Sequence, residues 1–421
     1  MQTAPAGRIG RMARLAALGL RTGAGMLRGG DGAGAAEQAA EVLGTLRGLA
    51  AKVGQMASYV DGLVPEEKRD AFEASLRVLR AQAPRSKPEE IRALVEEELG
   101  APIDRLFSEW SDAPIASASI GQVHRARFED GVEVAVKVQH PGIRKAVESD
   151  LANAGVLESL AALGGSRRFD TKGQLAIIRE RFREELDYAL EADRVEHFAR
   201  VHAGDPTVRV PRLFRERSAA RVLTTEFVTG ATFEEVLGER EAARRAWAET
   251  MWRFVFKGNF VGKMFNADPH PGNYVFQDDG RIVFLDYGCV QPIDDERRGN
   301  AMTMHRAAIA RDEKTFRESC SRMLGAKPGR LEKLAQDYSV RCFEPLFLSP
   351  YRIGRPYAAS LFDGMKEMAL AARKLPDDEM FTMPTDMLFI NRLQFGFYSV
   401  LARFDVEVDY ARVESEFLPA G

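Results

Sequence analysis

The chain has 421 residues, enough for two or three domains, and 45% of them are hydrophobic, as in ordinary globular proteins with substantial cores. Its net charge of −3 argues against nucleic-acid binding as the main activity, because no strongly basic domain offers a face that neutralises phosphates. The three cysteines are too few for a disulfide framework and lack metal-ligand spacing, so any metal is expected to have oxygen ligands.

The first 36 residues form a basic arm and a linker rich in glycine and alanine. Arginines alternate there with apolar residues, which leaves three interpretations open: contact with a membrane surface, an organelle transit peptide, or a helix packed on the domain. No stretch reaches the roughly 18 uncharged apolar residues of a membrane span. We therefore expect a cytoplasmic protein without a transmembrane segment, with peripheral membrane contact left open.

Residues 37–112 have helical periodicity and are predicted to form an N-terminal helical extension. One amphipathic helix in it carries Lys52 and Gln55. A second is predicted over 88–99, with Ser86 as a candidate cap and Gly100 just past its end.

Residues 113–230 are predicted to form a lobe with a small antiparallel sheet and inserted helices. A strand, a turn and a strand fill about 123–139, helical stretches follow over 143–163 and 172–202, and strand patterns return at 208–210 and 221–227. Residues 231–421 are mostly helical apart from a hairpin at 274–276 and 282–285. This order predicts an α+β, two-lobed, protein-kinase-like fold.

The most specific motif is the run from Asp268 to Asn273, Asp-Pro-His-Pro-Gly-Asn, followed by Asp286 after the hairpin. In kinase-type phosphotransferases, an Asp in such a loop orients the attacking hydroxyl, and the Asn and a later strand-end Asp bind metal. Turn chemistry accounts for the prolines and glycine, and His270 is interpreted as structural, but the three polar groups together predict a magnesium nucleotide site.

Lys137 lies in the strand Val-Ala-Val-Lys-Val, where its charge needs a partner or a route to water. In a kinase-like site this lysine reaches the nucleotide phosphates and pairs with a Glu of the facing helix. Glu191 is the predicted partner, with Glu184 as the competitor.

Two further segments complete the predicted nucleotide site. Small residues ahead of the strand pair are expected to let the backbone approach the phosphates, although alanine lacks the conformational freedom of glycine; they are Ala116, Ser117, Ala118 and Ser119. The end of the 221–227 strand would pass between the lobes, and Glu226 and Val228 are candidates for backbone contacts with adenine. An ordinary edge strand explains the second segment nearly as well.

The motifs together resemble the UbiB family, the aarF-domain-containing atypical kinases. The most distinctive marker is Lys-Val-Gly-Gln at Lys52–Gln55, matching the KxGQ motif of that family. Glu185 and Asp187 match its ExD motif, and Asp286 begins the DFG-like Asp-Tyr-Gly.

The resemblance implies that the extension folds over the active site, with Lys52 and Gln55 meeting Glu185 and Asp187, so that protein substrates are excluded. It further implies binding of ATP or ADP with Mg²⁺, ATP hydrolysis, and support of isoprenoid-lipid biosynthesis of the ubiquinone type, together with enzymes of that pathway. Ser117 stands where many members have alanine.

Two alternatives remain open from the sequence. A small-molecule phosphotransferase of the aminoglycoside or choline kinase type has a similar catalytic loop, although the KxGQ motif argues against it. A nucleotide-gated scaffold that binds lipid-pathway enzymes without turnover would keep the same metal residues.

Overall fold

The computed structural model describes residues 86–118, 120–148, 180, 183–266, 268–372, 374–376 and 396–418. The basic arm, the helix with Lys52 and Gln55, Ser119, and most of the predicted 143–163 helix lie outside the described residues. Within them, the predicted two-lobed α+β architecture is confirmed.

The smaller lobe is built on a five-stranded antiparallel sheet in the order β1-β3-β4-β6, with β2 beside β3. Its strands are β1 (Glu109–Trp110), β2 (Ala116–Ser117), β3 (Gly121–Arg127), β4 (Glu133–Gln139) and β6 (Val222–Glu226). Lys137 of β4 is in register with Val123 on one side and Leu223 on the other. The predicted strand pair is therefore correct, and Lys137 lies in a central strand.

Helix α1 (Pro88–Leu99) packs its apolar stripe, which includes Ile91 and Val95, on the buried valines of β4. Gly100 ends it in the left-handed conformation at φ 71°, as predicted. The cap prediction is wrong, because Lys87 occupies the N-cap position without a side-chain bond. The short α2 (Ile103–Leu106) leads to β1, so the predicted boundary after residue 112 falls inside one sheet.

The helix predicted over 172–202 is interrupted within its described part. Helical residues 183–185 end in a turn, and α3 (Tyr188–Val201) then starts afresh. The side chain of Asp187 is the reason, because its Oδ1 accepts hydrogen bonds from the backbone N–H groups of Ala189 and Leu190, 3.1 and 3.2 Å away. Glu191 consequently lies in the first turn of a new helix.

The larger lobe is mostly helical, as predicted. Its helices are α4 (Phe233–Val236), α5 (Glu241–Phe260), α6 (Asp295–Ile309), α7 (Glu313–Leu324), α8 (Arg330–Cys342), α9 (Glu344–Phe347), α10 (Arg355–Ala372) and α11 (Tyr410–Ser415). Its short strands are β5 (Val208–Arg209), β7 (Met264–Asn266), β8 (Tyr274–Phe276), β9 (Ile282–Phe284), β10 (Val290–Pro292), β11 (Tyr351–Arg352) and β12 (Glu407–Val408).

Two pairs of strands flank the predicted catalytic loop and Asp286. β8 and β9 form the predicted hairpin, and β7 pairs with β10, a pairing that the sequence does not reveal. These strands rest on α5, whose buried aromatic side chains form the centre of the lobe's core. Among the described helices, none is long and apolar enough to cross a membrane.

Candidate active site

Lys137 and Glu191 form a buried ion pair between β4 and α3. Lys137 Nζ lies 2.8 Å from Glu191 Oε1 and 2.9 Å from Oε2, and the side chains are 23% and 2% exposed. The ring of Tyr188 lies below the ammonium group, 5.0 Å from Nζ to the ring centroid. The pairing that the sequence predicts is therefore present.

The competing carboxylate, Glu184, has a different partner. It accepts a hydrogen bond from Arg194, whose guanidinium also donates to the backbone oxygens of Gly288, at 2.9 Å, and Val290, at 3.3 Å. Arg194 therefore ties α3 to the segment after Asp286. Sequence reasoning missed this residue, because a single arginine on a helix gives no signal of such a contact.

Asp286 lies beside the ion pair. Its Oδ2 is 3.6 Å from Lys137 Nζ, and its Oδ1 accepts a hydrogen bond from the N–H of Gly288 at 2.8 Å. Burial by itself lowers the pKa of Lys137, but attraction by Asp286 and Glu191 outweighs it and raises that pKa well above its usual value. Lys137 is thus a fixed cation directed at the predicted metal carboxylate.

The predicted catalytic loop is fixed by its own side chains. Asn273 Nδ2 donates to the backbone oxygen of Asp268 at 3.2 Å and to its Oδ2 at 3.3 Å. Leu285, next to Asp286, donates its N–H to the backbone oxygen of Asn273 at 3.0 Å. His270 Nδ1 accepts from the N–H of Gly272 at 2.8 Å, which supports its interpretation as a structural residue.

Asn266 connects the two halves of this site. Its Oδ1 accepts from the N–H of Asp268 at 3.0 Å, and its Nδ2 donates to the backbone oxygen of Asp286 at 2.6 Å. The side chain is almost fully buried. Sequence reasoning missed this bridge, because an asparagine two residues ahead of Asp268 gives no sign of such contacts.

The small-residue loop has more regular structure than predicted. Ala116 and Ser117 form β2, and the N–H of Ala118 donates to the backbone oxygen of Gly121 at 2.8 Å, closing a tight turn. Gly121 is required there, because a Cβ would lie 2.5 Å from the carbonyl oxygen of Val138.

Glu226 and Val228 lie at and just after the end of β6. The N–H of Glu226 already donates to the backbone oxygen of Arg212 at 2.8 Å, and its carboxylate pairs with Arg209. A contact of Glu226 with adenine would therefore use its carbonyl oxygen. Val228 is half-buried in the segment that follows, which is neither helix nor strand.

Glu185 and Asp187, the ExD residues, lie at the interruption before α3. Glu185 is 7% exposed, and Asp187 caps the helix. Because Lys52 and Gln55 lie outside the described residues, their contact with this pair stays a prediction.

The sequence pattern of the ABC1 atypical kinase-like domain matches residues 78–320, which include both halves of this site. The chain belongs to this family. The ABC1 match agrees with the UbiB and aarF resemblance, since several relatives carry the aarF name.

Two ABC1 relatives show the extent of the similarity. Protein ACTIVITY OF BC1 COMPLEX KINASE 7 of Arabidopsis thaliana, a chloroplastic protein, is 29% identical over 87% of this chain and 51% of its own length. AarF domain-containing protein kinase 1 of Gallus gallus is 31% identical over 69% of this chain and 56% of its own length. The chain thus spans about half the length of these curated relatives.

A solved structure with a similar fold is that of Rv3197 from Mycobacterium tuberculosis, described as a complex with erythromycin. It superposes with a TM-score of 0.61 at 25% identity, covering 90% of this chain and 94% of that one.

Proposed function

We propose that this chain is an atypical kinase-like ATPase that binds a magnesium nucleotide between its lobes. The observation that carries the proposal is the contact of Lys137 with both oxygens of Glu191 while Asp286 lies 3.6 Å away. Kinase-type sites need both the Lys–Glu pair and the metal-binding Asp in place before phosphoryl transfer. The arrangement of charges is therefore suited to turnover.

The proposed roles follow from the position of each group. Lys137, ordered by Glu191, would hold the α and β phosphates, and Asp268 would orient a hydroxyl or a water. Asn273 and Asp286 would hold Mg²⁺. The bridge through Asn266 would keep the Asp268 and Asp286 loops at a fixed separation.

The donor set is chemically suited to Mg²⁺. Asp286 offers carboxylate oxygens and Asn273 an amide oxygen, the hard ligands that this ion prefers. Among the described residues, no cluster of three His, Cys, Asp or Glu side chains could hold a metal alone. Mg²⁺ in kinase sites is held by one or two carboxylates together with substrate phosphates and water.

We further propose, from the family resemblance, a role in isoprenoid-lipid biosynthesis of the ubiquinone type rather than phosphorylation of proteins in trans. The partners would be enzymes of that pathway and a membrane surface. A scaffold that binds nucleotide without turnover is the competing proposal. Both proposals require the same residues, so only a measurement of ATP hydrolysis distinguishes the ATPase from the scaffold.

The test is magnesium-dependent ATP hydrolysis, measured with and without anionic-lipid vesicles and a phenolic mimic of a quinone precursor. Asp286→Asn should abolish turnover, whereas the matched Asp279→Asn, at an exposed carboxylate of the β8–β9 turn that pairs with Arg281, should retain it. Undiminished turnover in Asp286→Asn would refute the metal assignment. Nucleotide binding without hydrolysis under every condition would favour the scaffold.

A further inference from the structure

A chain of hydrogen bonds connects the segment ahead of α1 to the small-residue loop. Ser86 donates its N–H to Gln122 Oε1 at 2.9 Å, and its hydroxyl lies 2.9 Å from His140 Nδ1. On the other side of the imidazole, His140 Nε2 lies 3.0 Å from the carbonyl oxygen of Ala118. His140 is 6% exposed, so these contacts are shielded from water.

The direction of each hydrogen bond is fixed by chemistry. A carbonyl oxygen only accepts, so His140 must donate from Nε2 to Ala118. In the neutral ring, Nδ1 is then the acceptor and the hydroxyl of Ser86 is the donor. The carbonyl oxygen of Ala118 therefore fixes the histidine tautomer, and the hydroxyl of Ser86, which can donate or accept, pairs with the remaining ring nitrogen.

Gln122 and His124 of β3 continue the chain of hydrogen bonds into the sheet. Gln122 Nε2 lies 2.8 Å from His124 Nε2, and His124 Nδ1 lies 2.8 Å from the carbonyl oxygen of Ser111. His124 must therefore donate from Nδ1 and accept at Nε2, which makes Gln122 the donor and leaves its Oε1 to accept from Ser86. Burial lowers the pKa of His124, which agrees with a neutral ring.

His140 holds the small-residue loop at two points. Besides its ring contact with Ala118, its backbone N–H donates to the carbonyl oxygen of Ile120 at 2.9 Å. Carbonyl oxygens that face a phosphate group would repel it. The carbonyl oxygens of Ala118 and Ile120 instead accept hydrogen bonds from His140.

We propose that His140 and Ser86 are positioning residues that fix the backbone of the small-residue loop and thereby set its affinity for nucleotide phosphates. This rests on the proposed function, in which the loop covers the phosphates. Ser86 lies within the predicted extension of residues 37–112, 31 residues after Gln55 of the predicted KxGQ motif, so the loop is tethered to the described part of that extension.

The test uses full-length protein and two pairs of variants at these positions. Ser86→Ala removes only the hydroxyl and keeps the backbone bond to Gln122, whereas Ser86→Thr restores a hydroxyl. His140→Phe removes the donor to Ala118, and His140→Gln supplies an amide donor in its place. The matched control is His197→Phe, which removes a 2.8 Å contact between a histidine and the carbonyl oxygen of Gly262, away from this loop.

The dissociation constant of Mg-ATP and Mg-ADP is measured by calorimetry, and KM and kcat by ATP hydrolysis. We expect Ser86→Ala and His140→Phe to raise the dissociation constant and KM about five- to tenfold, the effect of a lost hydrogen bond, with kcat nearly unchanged. Ser86→Thr, His140→Gln and His197→Phe should stay within about twofold of wild type, since each keeps the donor that matters.

Two results would distinguish a wrong positioning role from a wrong nucleotide site. Wild-type affinity in Ser86→Ala and His140→Phe, together with lost affinity in Lys137→Met, would overturn the positioning role and leave the nucleotide site intact. Wild-type affinity in Lys137→Met would overturn the nucleotide site itself. If His140→Phe fails to fold, Ser86→Ala, which keeps the imidazole in place, decides the question.

Discussion

Replacing Glu191 by Gln tests how strongly the buried ion pair stabilises the protein. The amide keeps the shape and one hydrogen bond to Lys137, but removes the charge that now sits 2.8 Å from Nζ. Because Glu191 is 2% exposed, water cannot replace it. Asp286, 3.6 Å from the same ammonium group, retains part of the attraction.

The expected loss is about 2 kcal/mol in the free energy of unfolding. Breaking a fully buried pair costs roughly 3–5 kcal/mol, and a hydrogen bond to a charged group contributes about 1.5–3 kcal/mol. The expected value lies below the range for a fully buried pair and within the range for a charged hydrogen bond, since Lys137 is 23% exposed and keeps Asp286 nearby. The KM for Mg-ATP should rise at least about tenfold, because Lys137 is then no longer held against the phosphates.

The assay is urea unfolding followed by circular dichroism, with ATP hydrolysis measured in parallel. Glu196→Gln is the control, since it makes the same change on the same helix at a carboxylate that is 42% exposed and pairs with Arg215. Glu196→Gln should lower the free energy of unfolding by less than about 1 kcal/mol. If Glu191→Gln were as stable as Glu196→Gln, the buried ion pair would contribute nothing measurable to the free energy of unfolding.

Two further predictions concern the pKa of a histidine and the space around a glycine. Burial lowers the pKa of His202 to about 3, so the unfolded chain binds a proton there between about pH 6.5 and 3 while the folded chain does not. Because of this proton, the free energy of unfolding of the wild type should fall by about 2 kcal/mol between pH 7 and pH 5, whereas that of His202→Phe should not. Equal pH dependence of the two free energies would contradict this prediction. Gly121→Ala would place a Cβ 2.5 Å from the oxygen of Val138 and 2.7 Å from the hydroxyl of Tyr188, at a cost of about 1–3 kcal/mol in urea unfolding. Gly299→Ala, where nothing lies within 4 Å, is its control, and equal stability of the two variants would show that the sheet adapts.

The features that local patterns encode were predictable from the sequence. Alternation of apolar residues gave the strands around Lys137, and the turn residues gave the hairpin of β8 and β9. Glu191, 54 residues away from Lys137, was found only because the motif order suggested a kinase-like site. The burial of Glu191 agrees with its assignment as the partner of Lys137.

The features that depend on distant contacts were not predictable. Ser86 looked like a helix cap, but it contacts His140, 54 residues later. Arg194 looked like one more charge on a helix, yet it reaches the backbone of Gly288, 94 residues later. Each of these side chains could form hydrogen bonds with several kinds of group, and only the packing of the lobes determines which partner it meets.

In the proposed function, Asp286 holds the magnesium of a bound nucleotide beside Lys137. The most direct test is the affinity for ATP measured by calorimetry with and without Mg²⁺. Wild type and Asp279→Asn should bind at least about tenfold more tightly with Mg²⁺, whereas Asp286→Asn should lose this dependence. An affinity for ATP that depends on Mg²⁺ equally in all three proteins would contradict the account.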